Sequence, residues 1–580
     1  MKLAQKISVL LFLSVPALTA HAQTHQLVKT RTLGEGRLSF VSNSPSGKYM
    51  VLSTSKGLRL VESSTGNVKL ELENNEDDEY TPMVFDSTES HLGLCVASTC
   101  SILDLQTGKT LQSVEMEEEP EAVGFLNGEL VLQGYESFQF MDVETGELAE
   151  SENEDGLEVV RFCDDRGFLE SEGTLYHLKD DELVPLDLPV SAAAVYTDET
   201  CTFVSYLMED GVHQLNVLTN EDTPFPLPVA GLKADAVLDL NPSHLAYVQQ
   251  GVVYLHDLAA GTSIKLPFDR GYISLNANTV YNFGPTFMTV LDLQGKSMWK
   301  KDFTPSIFSL LLDGQTLWMD TNEYGAHALS SMNLSTGALT KHLELQKQAA
   351  FLLSKVGNDL FLTSAQVSRY SPKTGKVVKL PQKVSLSFDA PPVYSKAAQG
   401  KFYFRADKGM MVQFDPATSK SVVMGKQAMK GLAVSSKATY AFDGKGIVYQ
   451  YNPKKNTFDK TNITIPAKDV YDLVHDVKNN RLYAVANNTR KLFVYDFKTR
   501  KWGNVLTGTQ ASTLTLSPTG QFLVLKGQTE AQLWNTAKLT AATNVVKAYG
   551  LSGVELNSKE DTLYISHQEG FVDVYTLKKK

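Results

Sequence analysis

One short phrase constrains this chain more than any other: Ile102–Gly108, reading Ile-Leu-Asp-Leu-Gln-Thr-Gly, keeps returning. A brief apolar run reaches a polar position, a turn rich in Thr, Lys and Gly follows, and a new apolar run begins. The polar position recurs at Glu62, Asp104, Asp142, Lys179, Asn216, Asp257, Asp292, Asn333, Ser371, Asp415, Asn452, Asp496, Asn535 and Thr576. The period is about 40 residues, the length of one four-stranded propeller blade. Within a repeat the runs are strand-like: Ala236–Leu240, a turn at Asn241-Pro242-Ser243, His244–Gln249, a turn at Gly251, Val252–Leu258, a turn at Gly261 and Ile264–Leu266. Short β-rich runs separated by Gly, Pro, Asn and Ser make a meander. A lone sheet of that kind cannot cover both faces; radial packing of many does. The expectation is an all-β chain of about fourteen four-stranded blades, arranged as two tandem seven-bladed β-propellers.

Two stretches carry a family resemblance. Ser44-Pro45-Ser46-Gly47-Lys48-Tyr49-Met50-Val51-Leu52 and Ser517-Pro518-Thr519-Gly520-Gln521-Phe522-Leu523-Val524-Leu525 resemble the turn and second strand of the WD40/YVTN-like propeller superfamily. Ala531-Gln532-Leu533-Trp534-Asn535 and Leu492-Phe493-Val494-Tyr495-Asp496 resemble its third strand. The resemblance spans nearly the whole chain and implies architecture. The family's Gly-His and Trp-Asp dipeptides are missing, so no functional residue carries over.

The amino terminus reads as a leader. Lys2 and Lys6 precede an apolar run from Ile7 to Leu18, and Ala20-His21-Ala22 closes it. Basic start, short apolar core and an Ala-x-Ala site predict a secretory signal peptide over residues 1–22, cleaved after Ala22, and a periplasmic or secreted bacterial product. The core is too short for a stable transmembrane anchor, and no later segment is long and apolar enough to span a bilayer. Four cysteines suit export: Cys95 and Cys100 flank a hairpin turn, while Cys163 and Cys201 hold nearly equivalent places in neighbouring repeats. Both pairs are candidate disulfides, with free thiols the alternative.

Domain limits follow from the ends of the repeat. The last repeat stops after its third strand, Val572–Leu577, whereas Gln26–Leu33 is a spare strand before the first. The favoured arrangement closes an N-terminal ring (23–295) with the spare strand and a C-terminal ring (296–580) with Ser297–Phe303. The rival arrangement sends the N-terminal strand to the far end of the chain and interlocks the rings.

Charge divides the same halves. Residues 23–295 hold 14 Lys and Arg against 45 Asp and Glu, a net of −31, and residues 296–580 a net of +17. Acidic residues gather at connections between repeats: Glu71, Glu73, Glu76, Asp77, Asp78 and Glu79, then Glu115, Glu117, Glu118, Glu119 and Glu121. Basic residues gather in turns between third and fourth strands: Lys454 and Lys455, and Lys498, Arg500 and Lys501. Such fields steer association and bias partner choice, although charge runs are commonly just solvated faces. Nucleic acid is not expected, because no aromatic residues interleave with the lysines.

Motifs for chemistry are scarce. Gly108-Lys109-Thr110 lacks the first glycine of a phosphate loop. Asn153-x-Asp155-Gly156 lacks the closing glutamate of a calcium loop, with Phe162 in its place. His256-Asp257 and His475-Asp476 are strand neighbours that point to opposite faces. No Gly-x-Ser-x-Gly or His-Glu-x-x-His occurs, and four Trp are too few for quinoprotein docking motifs. No catalytic residue, metal or cofactor is assigned. The favoured expectation is a non-catalytic scaffold that holds another protein through propeller faces and charged loops. The alternative is a propeller enzyme or sensor that takes a sugar, peptide or small metabolite at a central channel.

Overall fold

The computed structural model describes residues 25–579, apart from 74–82, 136, 154–155, 164, 172, 180–181, 190–191, 199, 269–270, 324, 346–351, 365, 384–394 and 488. The described chain is all β, with two single-turn 3-10 segments at Ala234–Ala236 and Asp407–Gly409. Its strands form fourteen antiparallel sheets. In chain order they are sheet 1 (38–73), sheet 2 (83–115), sheet 3 (122–152), sheet 4 (158–185), sheet 5 (193–226), sheet 6 (237–265), sheet 7 (272–302), sheet 8 (306–344), sheet 9 (352–383), sheet 10 (395–424), sheet 11 (431–464), sheet 12 (470–506), sheet 13 (513–547) and sheet 14 (551–579 with 25–33). Sheets 1–13 are four-stranded meanders, with the outer strand of sheet 13 split into Thr540–Ala541 and Val546–Lys547, and sheet 14 takes its fourth strand from residues 25–33.

The repeated polar marker has a clear physical role. In thirteen sheets it is the last residue of the third strand, from Glu62 in sheet 1 to Asn535 in sheet 13. Where the marker is Asp or Asn, its side chain caps the turn: Asp142 Oδ1 accepts the Thr145 and Glu144 amides at 2.6 and 3.0 Å, and Asp496 Oδ1 the Lys498 and Thr499 amides at 2.8 and 3.0 Å. A short acceptor two or three residues ahead of a tight turn satisfies amides that the sheet cannot.

Burial follows strand order. Second and third strands are largely buried, as in Arg481–Ala486 and Lys491–Asp496, while fourth strands such as Leu339–Glu344 are exposed and polar. Charged outer edges resist edge-to-edge pairing. Fourteen apolar clusters fill the spaces between sheets. Twelve join consecutive sheets within 1–7 and within 8–14. Another packs sheet 7 (Tyr281, Met288, Val290) against sheet 1 (Leu38, Met50, Leu52). The last packs sheet 14 (Tyr564, Val572, Val574) against sheet 8 (Ile307, Leu317, Met319).

The ends of the chain depart from the favoured expectation. His25–Leu33 pairs antiparallel with Phe571–Lys579, with Leu27 opposite Leu577 and Leu33 opposite Val572, so it is the fourth strand of sheet 14. Ser297–Asp302 pairs with Phe287–Asp292 and completes sheet 7. Neither strand serves where the simpler arrangement put it; the N-terminal strand pairs at the far end of the chain, where the rival arrangement sends it. The physical reason is that sheet 14 offers an open third strand, with Val572 and Val574 in need of cover, whereas sheet 7 already has four strands. As a result the chain crosses between halves twice, at 34–37 and at 303–305. The crossings touch: the Glu35 amide donates to Thr304 Oγ1 at 2.9 Å, and the Thr304 amide to the Gly36 carbonyl at 3.1 Å. Gly570 lies against them at φ +85, where a Cβ would sit 2.3 Å from the Thr304 carbonyl oxygen.

Both cysteine pairs are joined. Cys95–Cys100 links directly opposed residues of one hairpin, and Cys163–Cys201 links sheet 4 to the turn after the first strand of sheet 5.

Candidate functional site: a cavity walled by seven strands

The first strands of sheets 1–7 converge. Leu38–Asn43, Met83–Phe85, Ala122–Leu126, Glu158–Cys163, Ala193–Thr197, Val237–Leu240 and Tyr272–Leu275 each contribute lining residues to one cavity of about 690 Å³. The turns that follow several of these strands also line it, through Pro45, Ser87, Asp198, Thr200, Asn241 and Asn276.

Local backbone chemistry sets what faces the cavity. In sheets 1, 4 and 6 the register with the second strand slips by one residue, between Leu38 and Phe40, Val159 and Arg161, and Val237 and Asp239. A bulge breaks strict alternation and re-aims side chains. In sheet 4 the extra residue is Val160, and both it and Arg161 are on the lining.

The polar wall is tightly knit. Asp239 Oδ2 accepts Ser274 Oγ and the Leu275 amide, each at 2.7 Å, and Oδ1 accepts the Leu240 amide at 2.8 Å. This carboxylate thus fastens sheet 6 to sheet 7. Asp472 repeats the device between sheets 12 and 13, accepting the Leu473 amide at 2.8 Å and the Leu514 amide at 2.9 Å. Asp198 caps the turn behind sheet 5 by accepting the Thr202 and Phe203 amides at 2.8 Å and the Thr200 hydroxyl. Asn43 Nδ2 donates to the Tyr281 hydroxyl at 2.6 Å.

Burial dominates the electrostatics here, because a charged form loses hydration. It lowers the Arg161 pKa, against the pull of Asp198, Asp239 and Tyr281. It raises the Asp239 carboxyl, although Ser274, Leu275, Leu240 and Arg161 favour its charged form. It pushes the Tyr281 hydroxyl up to about 12 and, with Asp239, raises that of Tyr196. The arrangement can hold a ligand through a guanidinium, hydroxyls and apolar walls. Among the described residues, no group of three or more His, Cys, Asp or Glu is placed to hold a metal ion.

The residues singled out by sequence lie elsewhere. Glu115, Glu117, Glu118, Glu119 and Glu121 are exposed at the connection from sheet 2 to sheet 3. That connection enters the first strand of sheet 3 at the end away from the turns that line the cavity. Glu71 ion-pairs with the buried Arg59 at 2.8 Å, and Arg59 also meets Glu35. Glu73 belongs to the strand Val68–Glu73, while Glu76, Asp77, Asp78 and Glu79 lie outside the described residues. Lys454, Lys455, Lys498, Arg500 and Lys501 are exposed around turns capped by Asn452 and Asp496. None of the described residues among them lines the cavity.

Of the weak motifs, Gly108 sits in a turn at φ 68, and Asn153 closes its own loop onto Leu157 at 2.8 and 2.9 Å; Asp155 is outside the described residues. His256 bonds Ser263 at 2.9 Å, and His475 bonds Ser435 at 2.7 Å. Sequence reasoning missed Arg161, Asp239, Tyr281 and Asn43. The available signal was a lone cation inside the apolar run Val159-Val160-Arg161-Phe162.

Fold and site together define an all-β protein of repeated four-stranded antiparallel sheets with a polar-walled cavity among the first seven. No family model matches the chain, and no curated protein matches its sequence. Among solved structures it is similar to the extracellular domain of BT4673 from B. thetaiotaomicron, at 10% identity and a TM-score of 0.35, over 95% of this chain and 82% of that one. Among the described residues, no helix is long and apolar enough to cross a membrane.

Proposed function

We propose that the chain is an exported binding protein built of two seven-bladed β-propellers, and that the first ring takes a small ligand in its central cavity. Support for the rings comes from the packing of sheet 7 on sheet 1 and of sheet 14 on sheet 8. On this reading the rings are sheets 1–7 and sheets 8–14, and the boundary moves from near 295 to 303–305, because Ser297–Asp302 belongs to sheet 7. Export rests on the leader pattern of residues 1–22 and on two disulfides, which persist in oxidising compartments.

The observation that carries the ligand reading is the cavity itself. Seven separate strands supply its wall, its volume suits a small molecule, and a few polar groups converge among apolar ones. The test is a thermal-shift screen of the mature chain against small metabolites, repeated on Val195→Trp, which places an indole on the cavity wall. A ligand that raises the melting temperature of the parent and leaves the variant unmoved supports the reading. A screen without stabilising ligands, or one whose hits act equally on the variant, refutes it.

A second reading has its own observation: exposed glutamates at 115–121 and exposed basic turns at 454–455 and 498–501. On it the protein is a scaffold for a charged protein partner. Salt-sensitive capture of one partner, weakened by neutralising Glu115, Glu117, Glu118, Glu119 and Glu121, supports it; capture indifferent to that change counts against it.

A further inference from the structure

Sheets 8–14 hold a cation with nothing to balance it. Arg405 is 5% exposed, and its Nε and Nη2 are closed off from solvent with no hydrogen-bond partner; Nη1 is the one nitrogen not closed off. No carboxylate among the described residues offsets the charge, and burial alone shifts its pKa, downward. An unpaired buried cation is destabilising, so a fold that keeps one leaves room for an anion to act on.

The strand pattern says where Arg405 points. It ends the second strand of sheet 10, Lys401–Arg405, directly opposite Met411. Phe402 and Phe404 pack toward sheet 9, while Tyr403 and Met411 pack with Met429 and Leu432 toward sheet 11. Alternation puts Arg405 on the sheet 11 side, among side chains that offer it no carboxylate. Gln133 holds the same place in sheet 3. Its Nε2 donates to the Leu157 carbonyl at 3.2 Å and its Oε1 accepts the Val159 amide at 2.7 Å, where the chain enters the first strand of sheet 4. A side chain at this position therefore reaches the entrance to the next first strand. For Arg405 that entrance is the approach to Gly431–Val434, where the Met429 amide is already held by the Gly409 carbonyl at 2.9 Å.

The position is used twice. Lys526 ends the second strand of sheet 13, on the side of Phe522 and Val524, which pack toward sheet 14. It is half-buried, and burial alone lowers its pKa. In sheets 1–7 no second strand ends on a cation.

We propose that sheets 8–14 bind a small oxyanion, a carboxylate or a phosphate, with Arg405 as its anchor at the entrance to sheet 11. The guanidinium fork matches either group. Lys526 and the net positive charge of residues 296–580 add to the field that draws it. The site is separate from the cavity among sheets 1–7 and stands or falls without it.

The test uses the full mature chain and two probes, inorganic phosphate and acetate, each against chloride at equal ionic strength. Melting temperature and hydrogen exchange are the readouts. At least one probe should raise the melting temperature by about 2–4 °C for each tenfold rise above its dissociation constant, and should slow exchange at residues 406–411 and 425–432. Phosphate acting alone, or acetate alone, names the source of the oxyanion; both acting supports the shared chemistry. Arg405→Met should lose the response, and Arg405→Lys should keep a weakened one. Where Arg405→Met fails to fold, the place of slowed exchange on the parent protein decides. A parent indifferent to both probes at millimolar concentration, or a response that survives Arg405→Met, overturns the proposal. Slowed exchange spread evenly over the chain means an adventitious ion only, and overturns it as well.

Discussion

Replacing Asp573 tests the way the two ends of the chain are joined. Asp573 lies near the start of the third strand of sheet 14, Phe571–Lys579, and is 4% exposed. It accepts the Thr32 hydroxyl at 2.7 Å and pairs with Lys29 at 2.9 Å, both on the N-terminal strand, and with His567 at 3.4 Å. A hydrogen bond to a charged acceptor contributes about 1.5–3 kcal/mol. The Lys29 pair adds about 0–1 kcal/mol, since the lysine is half exposed. Asp573→Ala should therefore loosen the hold of sheet 14 on residues 25–33 by about 2–4 kcal/mol, and protection from hydrogen exchange there should fall by roughly 30- to 1000-fold. Amide exchange read by mass spectrometry checks this, with sheet 3 as the internal reference. Unchanged protection of 25–33, or loss of protection centred on sheet 7 instead, would refute the interlocked topology.

The same carboxylate gives a pH prediction with a definite sign. Burial pushes Asp573 up, but bonds from His567, Thr32 and Lys29 together outweigh it and hold its pKa below the ordinary value of 3.8. A depressed carboxyl contributes stability that is fully present above its unfolded pKa and is lost as pH falls through the folded one. Protection of residues 25–33 should hold from neutrality to about pH 4 and decline below it, and Asp573→Ala should flatten that decline.

Three further outcomes follow from other parts of the molecule. Cys163–Cys201 closes a separation of 38 residues and Cys95–Cys100 one of 5. Loop entropy then predicts that the paired Ser substitutions cost about 4 and about 2 kcal/mol, measurable by urea unfolding; equal costs would count against the entropic account. Asp239→Ala and Asp472→Ala each strand two backbone amides and should cost about 2–5 kcal/mol. Lying in different halves, they should add within about 0.5 kcal/mol in the same assay, and strong coupling would contradict the separation of the two sets of sheets. The Tyr281 hydroxyl, pushed up to about 12, should stay silent in a spectrophotometric titration below pH 11 or so, with Tyr281→Phe leaving the alkaline absorbance step near the ordinary tyrosine pKa of about 10 unchanged.

What could be read in the sequence was what a short segment decides for itself. The turn markers were legible because Asp142 or Asp496 needs only the next three residues to make its bonds. The cysteine pairs could be named because one spans a single hairpin and the other one repeat. The partner of the N-terminal strand could not be chosen, since Leu27 and Leu33, which pack on opposite sides of sheet 14 against sheets 13 and 8, do not by themselves name the sheet they join. The choice falls to whichever sheet lacks a fourth strand, which depends on counting blades through Ser297–Asp302 without error. The cavity was hidden for a related reason. Seven strands from seven repeats supply its wall, one or two residues each, and a repeat read alone shows Asp239 or Phe40 as ordinary strand positions. Arg161 was hidden further by its bulge. Strict alternation through Glu158–Cys163 puts Val160 and Arg161 on opposite faces, whereas the register slips between Val159 and Arg161 and both residues are on the lining. Straightening that strand by deleting Val160 should restore alternation and re-aim the segment, so a ligand that stabilises the parent through the cavity should no longer do so, while sheets 8–14 keep their exchange protection. Retained binding in that variant would mean that the bulge does not set the site.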